Sequence, residues 1–191
     1  MHQLPDPLAA RYSVKEFSEY RFIPGANPHP TEDPTGHSYG TIVEAVSKLD
    51  NKNWFRNETY LYGIDLYNFV YWWESHEAFE NLWRGLRRES LEADFLQGLI
   101  KISAAFLKWH AREQRGIEIL YSGGVELLKD VCQEKTIFMG INLMEHIAKV
   151  SNHFRSVIAD PAVWPDPLKN YPFIVLTRDV LSGREKFSGE M

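Results

Sequence analysis

The sequence predicts an all-α protein, a compact antiparallel bundle of about five helices with extended arms at both ends. Three observations predict it. Apolar residues recur every three or four positions, with only short breaks, from about residue 57 to about residue 158. All ten prolines lie outside that stretch: Pro5, Pro7, Pro24, Pro28, Pro30 and Pro34 before it, and Pro161, Pro165, Pro167 and Pro172 after it. Only one run, Phe173-Ile174-Val175-Leu176, has the composition of a strand, and no second run offers itself as a partner. The expected organisation is a proline-rich arm over residues 1–53 packed on a helical core over 54–160, followed by an extended tail over 161–191. A chain of 191 residues is expected to form one domain.

In the N-terminal arm proline removes backbone donors and restricts its predecessors, which precludes long helices. One short helix fits there, from Thr41 to about Leu49. The core reads as helices over about 57–69, 72–86, 90–113, 115–133 and 138–158. Ser90, followed by Glu92 and Asp94, gives the third helix a hydroxyl cap and an acidic first turn. The buried stripe of that helix is Leu91, Phe95, Leu99, Ile102, Phe106 and Trp109. The breaks at 68–71 and around Gly85 are short, so neighbouring helices are expected to pack antiparallel. Gly123-Gly124 lies inside the fourth helix and is expected to permit a close helix–helix approach. The 173–176 run reads as an extended segment laid on the core in preference to an edge strand.

Charge and cysteine content narrow the function classes. The chain carries 21 Lys and Arg against 26 Asp and Glu, a net charge of −5, so no nucleic-acid partner is expected. Arg84, Arg87 and Arg88 cluster at a helix end, where they complement the helix dipole. Cys132 is the single cysteine, which excludes an intrachain disulfide and fits a reducing compartment; its helical pattern suggests a buried, inert thiol. No run of 18 apolar residues predicts a membrane span, and residues 1–7 do not resemble a secretory signal, so a cytoplasmic location is expected.

The chemistry-bearing residues concentrate in Tyr71-Trp72-Trp73-Glu74-Ser75-His76-Glu77-Ala78-Phe79-Glu80-Asn81-Leu82-Trp83. Helical spacing places His76 and Glu80 one turn apart on one face, with Trp72 and Trp83 near the same stripe. Together with Gly63-Ile64-Asp65-Leu66-Tyr67-Asn68, Phe95-Leu96-Gln97-Gly98-Leu99-Ile100 and His110, this text resembles the prokaryotic family known as domain of unknown function 309. The resemblance covers residues 60 to about 130 and implies a small all-α core. It implies no activity.

Three readings of the cluster stand side by side. In the first, His76 and Glu80 share a divalent cation while Glu77 acts as a base, a variant of the HExxH helix with glutamate in place of its second histidine. A third ligand would then come from His110, or from His29 or His37 in the N-terminal arm, with Tyr39 nearby. His110 and Gln97 are separated by about 20 Å of helix, so both cannot enter one ligand shell. In the second, His76, Glu77, Glu80 and Gln97 form a paired polar network that fixes helix register. In the third, Trp72, Trp73 and Trp83 line a pocket for a small ligand or peptide, with His76 and Glu80 as its polar groups. His2, His146 and His153 show no partner pattern, and His146 and His153 flank Lys149 on what reads as a solvated face.

No nucleophile elbow, phosphate loop or dinucleotide fingerprint is present in the sequence. The expectation is therefore a binding or interaction module centred on His76, Glu77, Glu80 and Trp83, with Gln97, His110, His29 and His37 around it. Its partner would be a small ligand or a protein, a second copy of the chain included. The competing expectation is a metal-dependent hydrolase or oxidoreductase using the His76/Glu80 face, with a divalent metal as cofactor.

Overall fold

The computed structural model describes residues 11–41, 48–160, 162, 164 and 166–177. The helix expected over Thr41–Leu49 falls mainly on residues outside that set, as does His2. Five helices carry the fold: α1 (Glu58–Asn68), α2 (Trp72–Arg84), α3 (Leu91–His110), α4 (Gln114–Glu134) and α5 (Leu143–Ala159). The architecture is all-α, as the periodicity predicts. A 3-10 turn, Trp54–Arg56, precedes α1.

Side-chain caps set the starts of three helices. Asn57 accepts from the Tyr60 N–H, Ser90 from the Ala93 N–H and Asn142 from the Glu145 N–H, each satisfying a donor the first turn leaves open. The ends of α1 and α3 share another device. Tyr71 N–H donates to Leu66 O and Val70 N–H to Tyr67 O; Glu113 N–H donates to Lys108 O and Arg112 N–H to Trp109 O. These are Schellman closures with a left-handed residue just past the helix, Val70 (φ 63) in one and Arg112 (φ 55) in the other.

Helix α3 is the central rod. Phe95, Leu99, Ile102 and Phe106 are fully buried and Trp109 nearly so, which fits the expected stripe. Trp72 at the start of α2 stacks on Phe106 near the end of α3 at 4.2 Å, so the two helices run antiparallel. Against α4 the approach is closer. A Cβ on Gly98 would lie 3.2 Å from Gly124 O, and one on Gly124 would lie 3.0 Å from Gly98 O. The paired glycines let the two backbones meet where any larger side chain would hold them apart.

Two features depart from the expectations. The fifth helix starts at Leu143 instead of about 138, because Ile137–Phe138 (β1) and Ile141–Asn142 (β2) form a small antiparallel hairpin. Its two-residue turn, Met139 (φ 47) and Gly140 (φ 81), has both residues left-handed, which matches the twist of a tight hairpin. His146 and His153 do not share a solvated face either. His146 is 4% exposed, and His153 packs against Trp109 with ring centroids 4.9 Å apart. The periodic placement of Lys149 between them masked the fact that α5 buries that side against α1, α3 and the tail.

Three buried polar side chains tie the arms to the core. Asp65, at 0% exposure, accepts from Tyr12 N–H, Ser13 N–H and Ser13 Oγ–H, at 2.8, 2.8 and 2.6 Å. Asn68 bonds both polar groups of the Ile174 backbone. Glu74 accepts from Phe22 N–H at 2.8 Å. The 173–176 run is extended and unpaired in any sheet; Ile174 and Leu176 face inward and Val175 outward.

Candidate functional site

The outer side of α2 carries the sequence-predicted cluster. Helix α2 buries Trp72, Glu74, Ser75, Ala78, Phe79 and Leu82, which leaves Trp73, His76, Glu77, Glu80 and Trp83 part-exposed on the opposite side. His76 Nδ1 lies 3.3 Å from Glu77 Oε1, and His76 Nε2 lies 3.6 Å from Glu80 Oε2. The side chains of the three are 24%, 32% and 27% exposed, so a solute can reach them. Their ligand atoms lie within 4.8 Å of one another, and among the described residues no other group of three His, Cys, Asp or Glu does so.

Two cations already lean on this stripe. Arg84 Nη2 pairs with Glu80 Oε1 at 3.2 Å, and the Arg88 guanidinium sits 3.5 Å over the Trp83 ring. The basic cluster at the end of α2 therefore does more than complement the helix dipole: it neutralises Glu80 and covers one face of an indole.

The other expected contributors are placed elsewhere. His110 lies against Trp72, ring centroids 5.5 Å apart, at the end of α3. Gln97 lies half-buried near the start of the same helix. His29 and His37 do fold over α2, but they meet Trp73 and Glu74. The His29 ring is edge-on to Trp73 at 5.5 Å, and the His37 ring is edge-on at 6.5 Å. His37 Nε2 lies 3.1 Å from Glu74 Oε1, and both side chains are over nine-tenths buried. Tyr39 is 53% exposed on the arm surface.

Glu74 is not marked as a site residue by local sequence, because it sits among the same aromatic residues as His76 but on the inner side of the helix. Its signal was its position two residues before His76, about 160° away around the helix axis. Arg21, also buried at 8%, interacts electrostatically with Glu74, and burial lowers its pKa. Arg21 Nη1 and Glu74 Oε2 are buried without a hydrogen-bond partner among the described residues.

The family comparison falls on these same helices. The family model of a domain of unknown function (DUF309) matches residues 60–120. That DUF309 segment runs from the first turn of α1 into α4 and includes Asp65, Asn68, Glu74, His76, Glu77, Glu80, Trp83, Gln97 and His110. The resemblance read from the sequence is thus borne out over those residues. His29, His37 and Tyr39 lie outside it. No curated protein matches the chain. Among the described residues, no helix is long and apolar enough to cross a membrane.

Proposed function

We propose that this chain is a binding module that takes its partner on the outer stripe of α2. One observation carries the reading. The His76 ring sits between Glu77 and Glu80, and Trp73 and Trp83 flank it along the helix. Its side chain is part-exposed, although Nδ1 is buried without a hydrogen-bond partner among the described residues. Convergent polar groups bordered by flat aromatic faces are the usual composition of a recognition surface. A purely architectural network would have buried them, as Asp65 and Asn68 are buried.

The indole N–H resonances of Trp73 and Trp83 test the reading directly. Titration with a library of small metabolites and short peptides is expected to move these two indole signals, and His76→Ala is expected to abolish the response. Ligands that move only the signals of Trp54 or Trp109, on other elements, would refute the assignment of the site.

The spacing of His76, Glu77 and Glu80 favours one second reading, a divalent cation held by all three. Such a site would underlie a metal-dependent hydrolase or oxidoreductase. Against it stands the pairing of Glu80 with Arg84, together with the supply of all three donors by one helix. Elemental analysis of untagged protein purified without chelator, beside His76→Ala, separates the two. Near-stoichiometric metal that disappears in the variant supports the cation site. Its absence from both leaves the binding reading alone.

A further inference from the structure

We propose that Ser38 is a nucleophile activated by His37 and Glu74, and that the N-terminal arm thereby forms an acyl-transfer site acting on carboxylic esters. Ser38 Oγ lies 2.8 Å from His37 Nδ1, and His37 Nε2 lies 3.1 Å from Glu74 Oε1. The tautomer follows from these partners. A carboxylate accepts, so Nε2 carries the proton, and Nδ1 is left bare to accept the Ser38 hydroxyl proton. A hydroxyl on an imidazole that is itself held by a carboxylate is the arrangement that turns a weak alcohol into a nucleophile. The two ring nitrogens exchange the roles they hold in the familiar serine hydrolase triad, with the same proton path.

The base and its orienting group are fixed in place. The His37 ring is edge-on to Tyr20 at 4.6 Å, with Trp73 on a further side, and the His37 N–H donates to the Tyr20 hydroxyl at 3.2 Å. Glu74 is anchored on α2, and Phe22 N–H donates to the same oxygen that faces His37. A contact between neighbouring Ser and His residues would need no carboxylate. Here a carboxylate from α2 is over nine-tenths buried to provide one. Ser38 itself stays part-exposed. Beside it Gly40 is left-handed (φ 70), with nothing within 4 Å of where its Cβ would stand, and Tyr39 is exposed. The exposed Tyr39 and the open Gly40 leave the chain next to Ser38 uncovered on the side an acyl group would approach.

The reaction balances without a cofactor. Ser38 Oγ forms a bond to the acyl carbon as its proton passes to His37 Nδ1. The ester C–O bond breaks, and the departing alcohol takes that proton. Water then attacks the acyl-serine by the same path, returning Ser38 and releasing a carboxylic acid. This site shares Trp73 with the outer stripe of α2 but uses none of His76, Glu77 or Glu80, and the proposal does not depend on ligand binding there.

A fluorophosphonate probe, which forms an Oγ–P bond with loss of fluoride, tests it. The folded protein is expected to be labelled at Ser38, located by peptide mass spectrometry, far faster than protein unfolded in urea. His37→Ala and Glu74→Gln are expected to slow labelling on the order of 100-fold or more, the usual contribution of a positioned general base. Ser156→Ala, on the exposed side of α5, is expected to leave the rate unchanged. p-Nitrophenyl acetate is expected to give a burst of p-nitrophenol with Ser38 acetylated. Labelling no faster than in the unfolded chain would overturn the proposal without recourse to any variant. Labelling indifferent to His37→Ala, or confined to another serine, would overturn it equally.

Discussion

Asn68 holds Ile174 by both of its backbone polar groups. The Asn68 Nδ2 donates to Ile174 O at 2.8 Å, and Ile174 N–H donates to Asn68 Oδ1 at 2.6 Å. The Tyr171 hydroxyl donates to the Asn68 carbonyl beside them. One side chain of α1 thus takes the place of a neighbouring strand for a segment that has none, which is why the tail lies extended on the core without joining a sheet. Asn68→Ala is expected to leave two buried backbone groups unsatisfied and to cost about 2–4 kcal/mol. Chemical denaturation measures the loss, and limited proteolysis is expected to cut first within 166–177.

The adjacent glycines of α4, Gly123 and Gly124, are predicted to respond with opposite signs. A Cβ on Gly124 would meet Ile102 Cδ1 at 2.9 Å and the Gly98 backbone at 3.0 Å, and the backbone cannot step aside. Gly124→Ala is expected to lower stability by about 1–2 kcal/mol despite the better helix propensity of alanine. A Cβ on Gly123 meets Lys101 Nζ at 2.9 Å, the end of a flexible side chain. Gly123→Ala is expected to be stabilising by up to about 1 kcal/mol. Thermal melts of the two variants side by side decide the matter.

Much of this fold is legible in the sequence. The α3 stripe, the Ser90 cap and the Gly124 approach all follow from local pattern, since each is settled by spacing or by the absence of a side chain. The hairpin before α5 was not legible. Met139 occupies a left-handed turn position where asparagine or aspartate would have announced it, and two-residue strands carry no period. The cluster at His76, Glu77 and Glu80 follows from helical spacing because its members share one helix. The His37–Glu74 pair does not, because it joins residues 37 positions apart across an arm whose path no local rule specifies. The burial of Asp65 and Asn68 was hidden for the same reason: their partners, the backbone of Tyr12, Ser13 and Ile174 and the Ser13 hydroxyl, lie far away in sequence.

His146 makes stability depend on pH. Burial, with a smaller contribution from Lys149, lowers its pKa to about 4, while Glu145 opposes the shift weakly. Among the described residues its Nε2 has no hydrogen-bond partner, so a charge there is largely uncompensated. A histidine depressed in the folded state takes up a proton more readily when unfolded, so its stabilising effect is complete above about pH 6.5. That effect is lost as pH falls from there toward about 4, and it amounts to about 3 kcal/mol. His146→Leu, which fills the site without a titrating group, is expected to flatten this part of the curve. Urea midpoints at pH 7, 5.5 and 4.5 provide the comparison. An equal acid dependence in both proteins would place its origin outside His146.

The matched closures of α1 and α3 yield a further pair of opposed outcomes. Val70 and Arg112 both sit at the left-handed position after their helix, where a side chain costs about 1–2 kcal/mol relative to glycine. Arg112 is exposed, and its side chain has little to lose. Arg112→Gly is expected to stabilise the protein by about 0.5–1 kcal/mol, the relief of strain being partly offset by the greater freedom of glycine in the unfolded chain. Val70 is 3% exposed within the core, and its removal forfeits about 1.5–3 kcal/mol of apolar burial. There the lost burial exceeds the strain relieved, so Val70→Gly is expected to lower the melting temperature while Arg112→Gly raises it. Equal shifts in one direction would mean that backbone strain, and not burial, decides both sites.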